Sequence, residues 1–108
     1  MIENEFQKAC LLNELKPNIP RSIELDDRFV VVVLLDDKVY CIDDVCTHDG
    51  GTLGDGVVDE HCLVCPRHGA KFDVRTGAAI TMPATEATLS HEVKVVDSMV
   101  YVKINEAR

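Results

Sequence analysis

The chain contains no tryptophan, two tyrosines and three phenylalanines. Its core must therefore be built mainly from aliphatic side chains. Basic residues are also few: eleven Lys and Arg stand against nineteen Asp and Glu, for a formal charge of −8. That balance argues against nucleic acid as a partner, because phosphates are bound through Lys and Arg. It argues equally against anionic membrane surfaces. It suits a basic docking face on another protein, and it also suits solubility alone. No apolar run is long enough to cross a bilayer, and the opening Met1-Ile2-Glu3-Asn4-Glu5 lacks the pattern of a signal peptide. A cytoplasmic protein without membrane association is the expectation. In a reducing compartment the five cysteines, where they lie beside histidines, are better read as metal ligands than as disulfides.

What is present points to strands. The 108 residues suffice for one domain, 1–108, and 46% of them are hydrophobic. Fifteen are valine, with a run at Val30-Val31-Val32-Val33, and branched side chains fit a pleated surface better than a helix. Phe6 to Cys10 reads as an edge strand, and Leu11 to Leu15 as one helical turn stopped by Pro17. Strands are expected over Ser22 to Leu25, Arg28 to Leu35 and Lys38 to Ile42, with Asp26-Asp27 and Asp36-Asp37 as turns. His91 to Val96 and Met99 to Ile104 read as a hairpin across Asp97-Ser98.

The character changes between Asp43 and Pro83. This stretch holds all six glycines, three of the four histidines and three of the five cysteines. Two short strands, Gly56 to Asp59 and Cys62 to Cys65, are expected inside it. The organisation is thus a β scaffold in two pieces, 1–43 and 84–108, around a loop-rich insert, 44–83. Loops carried on a rigid scaffold are where chemistry is usually placed.

The insert carries Cys46-Thr47-His48 and, after sixteen intervening residues, Cys65-Pro66-Arg67-His68. Each half couples one thiolate with one imidazole. A hairpin between them would bring the halves to one site, and Gly50, Gly51 and Gly69 would let backbone crowd it. Structural zinc accepts these ligand types, but zinc fingers usually pair Cys with Cys and His with His. A mixed pair in both halves suits a binuclear iron–sulfur centre, in which two histidines replace two cysteines on one iron. Ordinary buried cysteines and surface histidines are the bland alternative.

The double pattern resembles the Rieske family, whose motifs are Cys-x-His and Cys-x-x-His-Gly, matched here through Gly69. Leu53-Gly54-Asp55-Gly56, Phe72-Asp73-Val74-Arg75-Thr76-Gly77 and Pro83 also resemble family segments. The resemblance implies an all-β Rieske fold: an antiparallel β-sandwich or barrel base with a small cluster-binding subdomain, 44–83. It implies one [2Fe–2S] cluster held by Cys46, His48, Cys65 and His68, with the cysteines on one iron and the histidines on the other. The chain resembles the bacterial oxygenase-associated ferredoxins, which implies an electron carrier, not an enzyme, with a ferredoxin reductase and a terminal oxygenase as partners. A small subunit of a nitrite reductase-like or cluster-assembly complex is the alternative.

Relative to the respiratory branch of the family, two cysteines that form a disulfide there correspond to Gly51 and Arg67. Two hydroxyl donors to cluster sulfurs correspond to Ala70 and Phe72. Losing such donors lowers the potential. Asp43, Asp44, Asp49 and Asp55 would act the same way if near the cluster. Cys10, Cys41 and Cys62 read as small core side chains. His61 and His91 read as surface side chains; Arg67, between two motif residues, reads as a solvated side chain, or as an exposed charge at the tip of the site that aids docking or slightly raises the potential.

Overall fold

The structure, a computed structural model, describes residues 6–25, 27–47, 51–67, 69–81 and 86–105. Nine strands run through it: β1 Phe6–Leu11, β2 Arg21–Leu25, β3 Arg28–Leu35, β4 Lys38–Asp43, β5 Val57–Asp59, β6 Cys62–Val64, β7 Lys71–Asp73, β8 Ser90–Val96 and β9 Met99–Lys103. A single 3-10 turn, Leu12–Glu14, follows β1 where a helical turn is expected. The expected strands are found within a residue or two of their bounds. β7 is the exception: its Lys-Phe-Asp carries no strand signature, and it forms by pairing with β6.

The strands make two antiparallel sheets. Six lie in the order β1-β9-β8-β4-β3-β2, and three in the order β5-β6-β7. The outer strands β1 and β2 approach one another, so the large sheet curls toward a barrel. The β4–β8 ladder is short, with Cys41 opposite His91 and Ile42 opposite Ser90.

β3 explains why the chain needs a continuous apolar run. Val30, Val31, Val32 and Val33 have no exposed surface, so this strand is covered on both faces. Alternate side chains point to opposite sides of a strand. Val30 and Val32 therefore pack with Cys10, Leu15, Leu25, Cys41, Val100 and Val102 inside the curled sheet. Val31, Val33 and Leu35 pack the other way, with Ile42, Leu53, Leu63, Phe72 and Val74. The second cluster is the floor on which the small sheet and its loops sit.

The double-Asp signal makes a tighter turn than its composition suggests. Asp36 and Asp37 have φ of 52° and 67° between the paired residues Leu35 and Lys38. Asp97 and Ser98, at 52° and 66°, repeat this between Val96 and Met99. Two successive positive φ values match the right-handed twist of the flanking strands, and Asp tolerates them better than most side chains.

β7 leads into a turn closed by Gly77, whose φ is +82° and whose N–H donates to the Asp73 carbonyl at 2.7 Å. A Cβ there would run into the Thr88 carbonyl oxygen, whereas at Gly69, with φ +78°, it would meet nothing within 4 Å. Gly77→Ala should therefore cost about 2–4 kcal/mol, combining left-handed strain with a backbone clash. Gly69→Ala should cost only the strain, about 1–2 kcal/mol. Urea denaturation of the two variants checks the difference.

Candidate metal centre

The first loop leaves β4 and is fixed before it reaches Cys46. Asp44 is buried, and its carboxylate turns inward. One oxygen accepts the N–H groups of Leu53 and Gly54 at 2.6 and 2.7 Å, and the other accepts the Ser22 hydroxyl at 3.0 Å. A single ionised side chain thus ties the start of the loop, its far side and β2 together, through bonds stronger than neutral ones. The preceding Asp43 meets His91 across the β4–β8 junction. His91 Nε2 lies 2.7 Å from Asp43 Oδ1, and the Asn105 N–H donates to Nδ1 at 2.9 Å. Because Nδ1 accepts, the ring proton sits on Nε2 and is donated to Asp43. The expectation that His91 is solvated is therefore wrong: its side chain is fully buried. The two acids serve as ties between segments, each already matched with donors. Asp55 accepts the Thr52 hydroxyl at 3.3 Å, and Asp49 lies outside the described residues.

The two cysteine loops are closed alike. The Cys46 N–H donates to the Gly51 carbonyl at 2.8 Å, and the Cys65 N–H donates to the Ala70 carbonyl at 2.7 Å. Each bond spans five residues, and in sequence His48 falls within the first closure and His68 within the second. The second loop is tightened further by the Gly69 N–H donating to the Cys65 carbonyl at 3.0 Å. Thr47 donates its hydroxyl to the Glu86 carbonyl at 2.6 Å, linking the first loop to the segment before β8. Both cysteines are buried, at 0% and 1% exposure, in one cluster with Leu53, Leu63, Ala70 and Phe72. Cys46 and Cys65, from the two halves of the motif, belong to the same buried cluster. His48, His68, Met82 and Pro83 lie outside the described residues. Among the described residues no group of three or more His, Cys, Asp or Glu side chains gathers as a metal site.

Two thiols set in apolar surroundings at the base of matched loops are a fitting donor pair for a soft metal centre. A thiolate buried there needs compensating positive charge, which a metal supplies. Ala70 and Phe72, both wholly buried, bring no side-chain hydroxyl to this floor.

The remaining cysteines behave as core side chains. Cys10, Cys41 and Cys62 are buried free thiols. Burial is the main cause that raises the pKa of each, and Asp43 adds to it at Cys41 and Asp73 at Cys62. His61 is partly exposed as expected, 3.9 Å from Asp73. The depression lined by Asn18, Leu35, Asp36, Tyr40, Glu60, His61 and Arg75 lies around the β3–β4 and β5–β6 turns. Those turns are at the opposite ends of β4 and β6 from Cys46 and Cys65.

An all-β scaffold that offers a pair of buried cysteines from two matched loops suits the class of proteins that hold a metal centre. The Rieske [2Fe-2S] domain model matches residues 5–101. The 3-phenylpropionate/cinnamic acid dioxygenase ferredoxin subunit of Photorhabdus laumondii is 30% identical, over 91% of this chain and 93% of its own length. The ferredoxin of carbazole 1,9a-dioxygenase from Nocardioides aromaticivorans superposes with a TM-score of 0.91 at 31% identity, covering 94% of this chain and all of that one. A structure of the complex of reduced oxygenase and oxidized ferredoxin in carbazole 1,9a-dioxygenase gives 0.87 at 29% identity, covering 94% of each chain. The chain belongs to the Rieske [2Fe-2S] domain family, and its cofactor is a Rieske-type [2Fe–2S] cluster.

Two outcomes follow from these contacts. Asp44→Ala leaves the buried Leu53 N–H without its acceptor, so it should cost about 2–4 kcal/mol in urea denaturation, with Asp44→Asn in between. Asp73 gives a pH test. Its hydrogen bonds from the Arg75 side chain hold its carboxyl below the usual carboxylate range, against the opposing effect of burial. A depressed folded-state pKa means stability that is complete above about pH 4 and is lost as pH falls through the folded value. Asp73→Asn should flatten that acid limb in denaturation midpoints measured from pH 6 down to pH 2.

Proposed function

We propose that this chain is a one-electron carrier, the ferredoxin component that passes electrons from a reductase to a terminal non-haem iron oxygenase. The observation that carries this reading is the burial of Cys46 and Cys65 together, at the base of two loops closed by matching hydrogen bonds. The chain also matches dioxygenase ferredoxins over nearly their whole length. The oxygenase as partner is supported by the carbazole dioxygenase complex, whose ferredoxin shares this fold. The reductase as partner follows from the need of any such carrier for a donor. A net charge of −8 favours basic docking faces on both.

In this reading Cys46, His48, Cys65 and His68 hold the cluster, the cysteines on one iron and the histidines on the other. When bound, the cluster supplies reversible one-electron chemistry. The chain is a single domain, 1–108, in which 44–83 forms the cluster-binding subdomain on a scaffold of 1–43 and 84–108. In support, the large sheet draws its strands from Phe6–Asp43 and Ser90–Lys103, and the small sheet and both cysteine loops come from between them. The residues around the cysteines set rigidity. The Asp44 carboxylate and the Thr47 hydroxyl fix the loops so that little rearrangement accompanies a change of charge. A cytoplasmic location fits the buried free thiols of Cys10, Cys41 and Cys62, which suit a reducing compartment. Among the described residues no helix is long and apolar enough to cross a membrane.

The purified protein should be brown, and EPR after dithionite reduction should show an average g below that of all-cysteine clusters. With Ala70 and Phe72 offering no hydroxyl, the potential should lie near the low end of the Rieske range, of order −150 mV. His48→Ala and His68→Ala should each abolish the EPR signal, and Cys10→Ser should leave it intact. A colourless, iron-free protein after anaerobic reconstitution would reject the proposal.

A further inference from the structure

Arg67 stands in sequence between Pro66 and the proposed ligand His68, at the tip of the second loop. Its side chain reaches across to the first loop. Nη2–H donates to the Thr52 carbonyl at 2.9 Å. The guanidinium also lies directly against Gly51: a Cβ built there would be 2.5 Å from both Cζ and Nη2 and 2.8 Å from Nε. These two residues are mechanically important. Gly51 offers the carbonyl that closes the first loop on Cys46, and Thr52 precedes Leu53, whose N–H is held by Asp44.

We infer that Arg67 is a clasp between the two cluster-bearing loops, a positioning residue that holds one half of the ligand set against the other. The inference rests on those loops being the cluster site. The apolar floor fixes the depth of both loops, because burial favours contact without regard to direction. A directed hydrogen bond from a planar group fixes their lateral offset. Gly51 is then required for a specific reason. Its φ is outside the left-handed region, and the nearest atoms a Cβ would meet all belong to Arg67. A glycine here makes room for the guanidinium rather than for a turn. The charge of Arg67 also stands beside the site, where it favours the reduced state, but the clasp is a matter of shape and can be separated from charge.

Three variants make the separation. Gly51→Ala displaces the flexible end of Arg67 while keeping its charge and the backbone. Arg67→Lys keeps the charge but loses the planar donor fork. Arg67→Gln loses both. Each holoprotein is reduced for EPR and is separately challenged with an iron chelator, and the rate of bleaching is followed. All three variants should bleach faster than the parent, roughly three- to tenfold, as expected for one ordinary hydrogen bond lost. All three should show broadened EPR lines, since a looser pair of loops samples more ligand geometries. Only Arg67→Gln should also lower the potential measurably. Hydrogen exchange should quicken at residues 46–53 and 65–70 and remain as in the parent in β3. If Gly51→Ala and Arg67→Lys match the parent in bleaching and line width, Arg67 acts through charge alone and the clasp is rejected. A parent protein that binds no cluster would overturn the functional reading instead, and the variants would not be needed to see it.

Discussion

The middle of β3 is a strand without an outside. Four successive valines have no contact with solvent, and two separate apolar clusters meet the sheet on either side of them. Fully burying one such side chain is worth about 1.5–3 kcal/mol. The strand is therefore held in register by this buried run, since a slip of one residue would exchange its two faces. Everything at the candidate site stands on one of those faces. Val31 and Val33, with Ile42 from β4, share one buried cluster with Leu53, Leu63 and Phe72 and with Cys46 and Cys65. The scaffold and the small sheet are thus coupled through shared side-chain burial rather than through shared strand pairing.

Burial alone would leave the loops poorly specified. Long polar ties do the rest, and they join segments remote in sequence. Asp44 reaches Ser22, Leu53 and Gly54; Thr47 reaches Glu86; His91 joins Asp43 to Asn105; Arg67 reaches Thr52. Their arrangement also changes the electrostatic picture drawn from the acidic composition. Asp43 and Asp44 carry negative charge next to the site in sequence, yet both are occupied by donors. A low potential then follows from the missing hydroxyls at Ala70 and Phe72 rather than from a halo of carboxylates.

Where sequence and structure part company, the cause is tertiary. β7 is too short and too mixed to announce itself, and it exists because β6 offers a free edge beside a buried Phe72. His91 sits in a strand that alternates with exposed neighbours, which reads as a solvent position. Its burial depends on the narrow β4–β8 junction, 48 residues away along the chain from Asp43. Arg67 is exposed as expected, but no local pattern shows that its guanidinium lies against Gly51.

The β character, the aliphatic core, the turn positions and the two halves of the ligand motif are legible in the order of residues. All of these depend on interactions within a few residues: alternation, branching, the conformational tolerance of Asp and Gly, and short Cys/His spacings. The tertiary structure alone decided which polar side chains became ties, which histidine was buried, and that Cys46 and Cys65 share one apolar floor. Those outcomes depend on which distant segments the two-sided burial of β3 brings together, and no short-range pattern encodes a contact whose partner is decided by the packing of the whole chain.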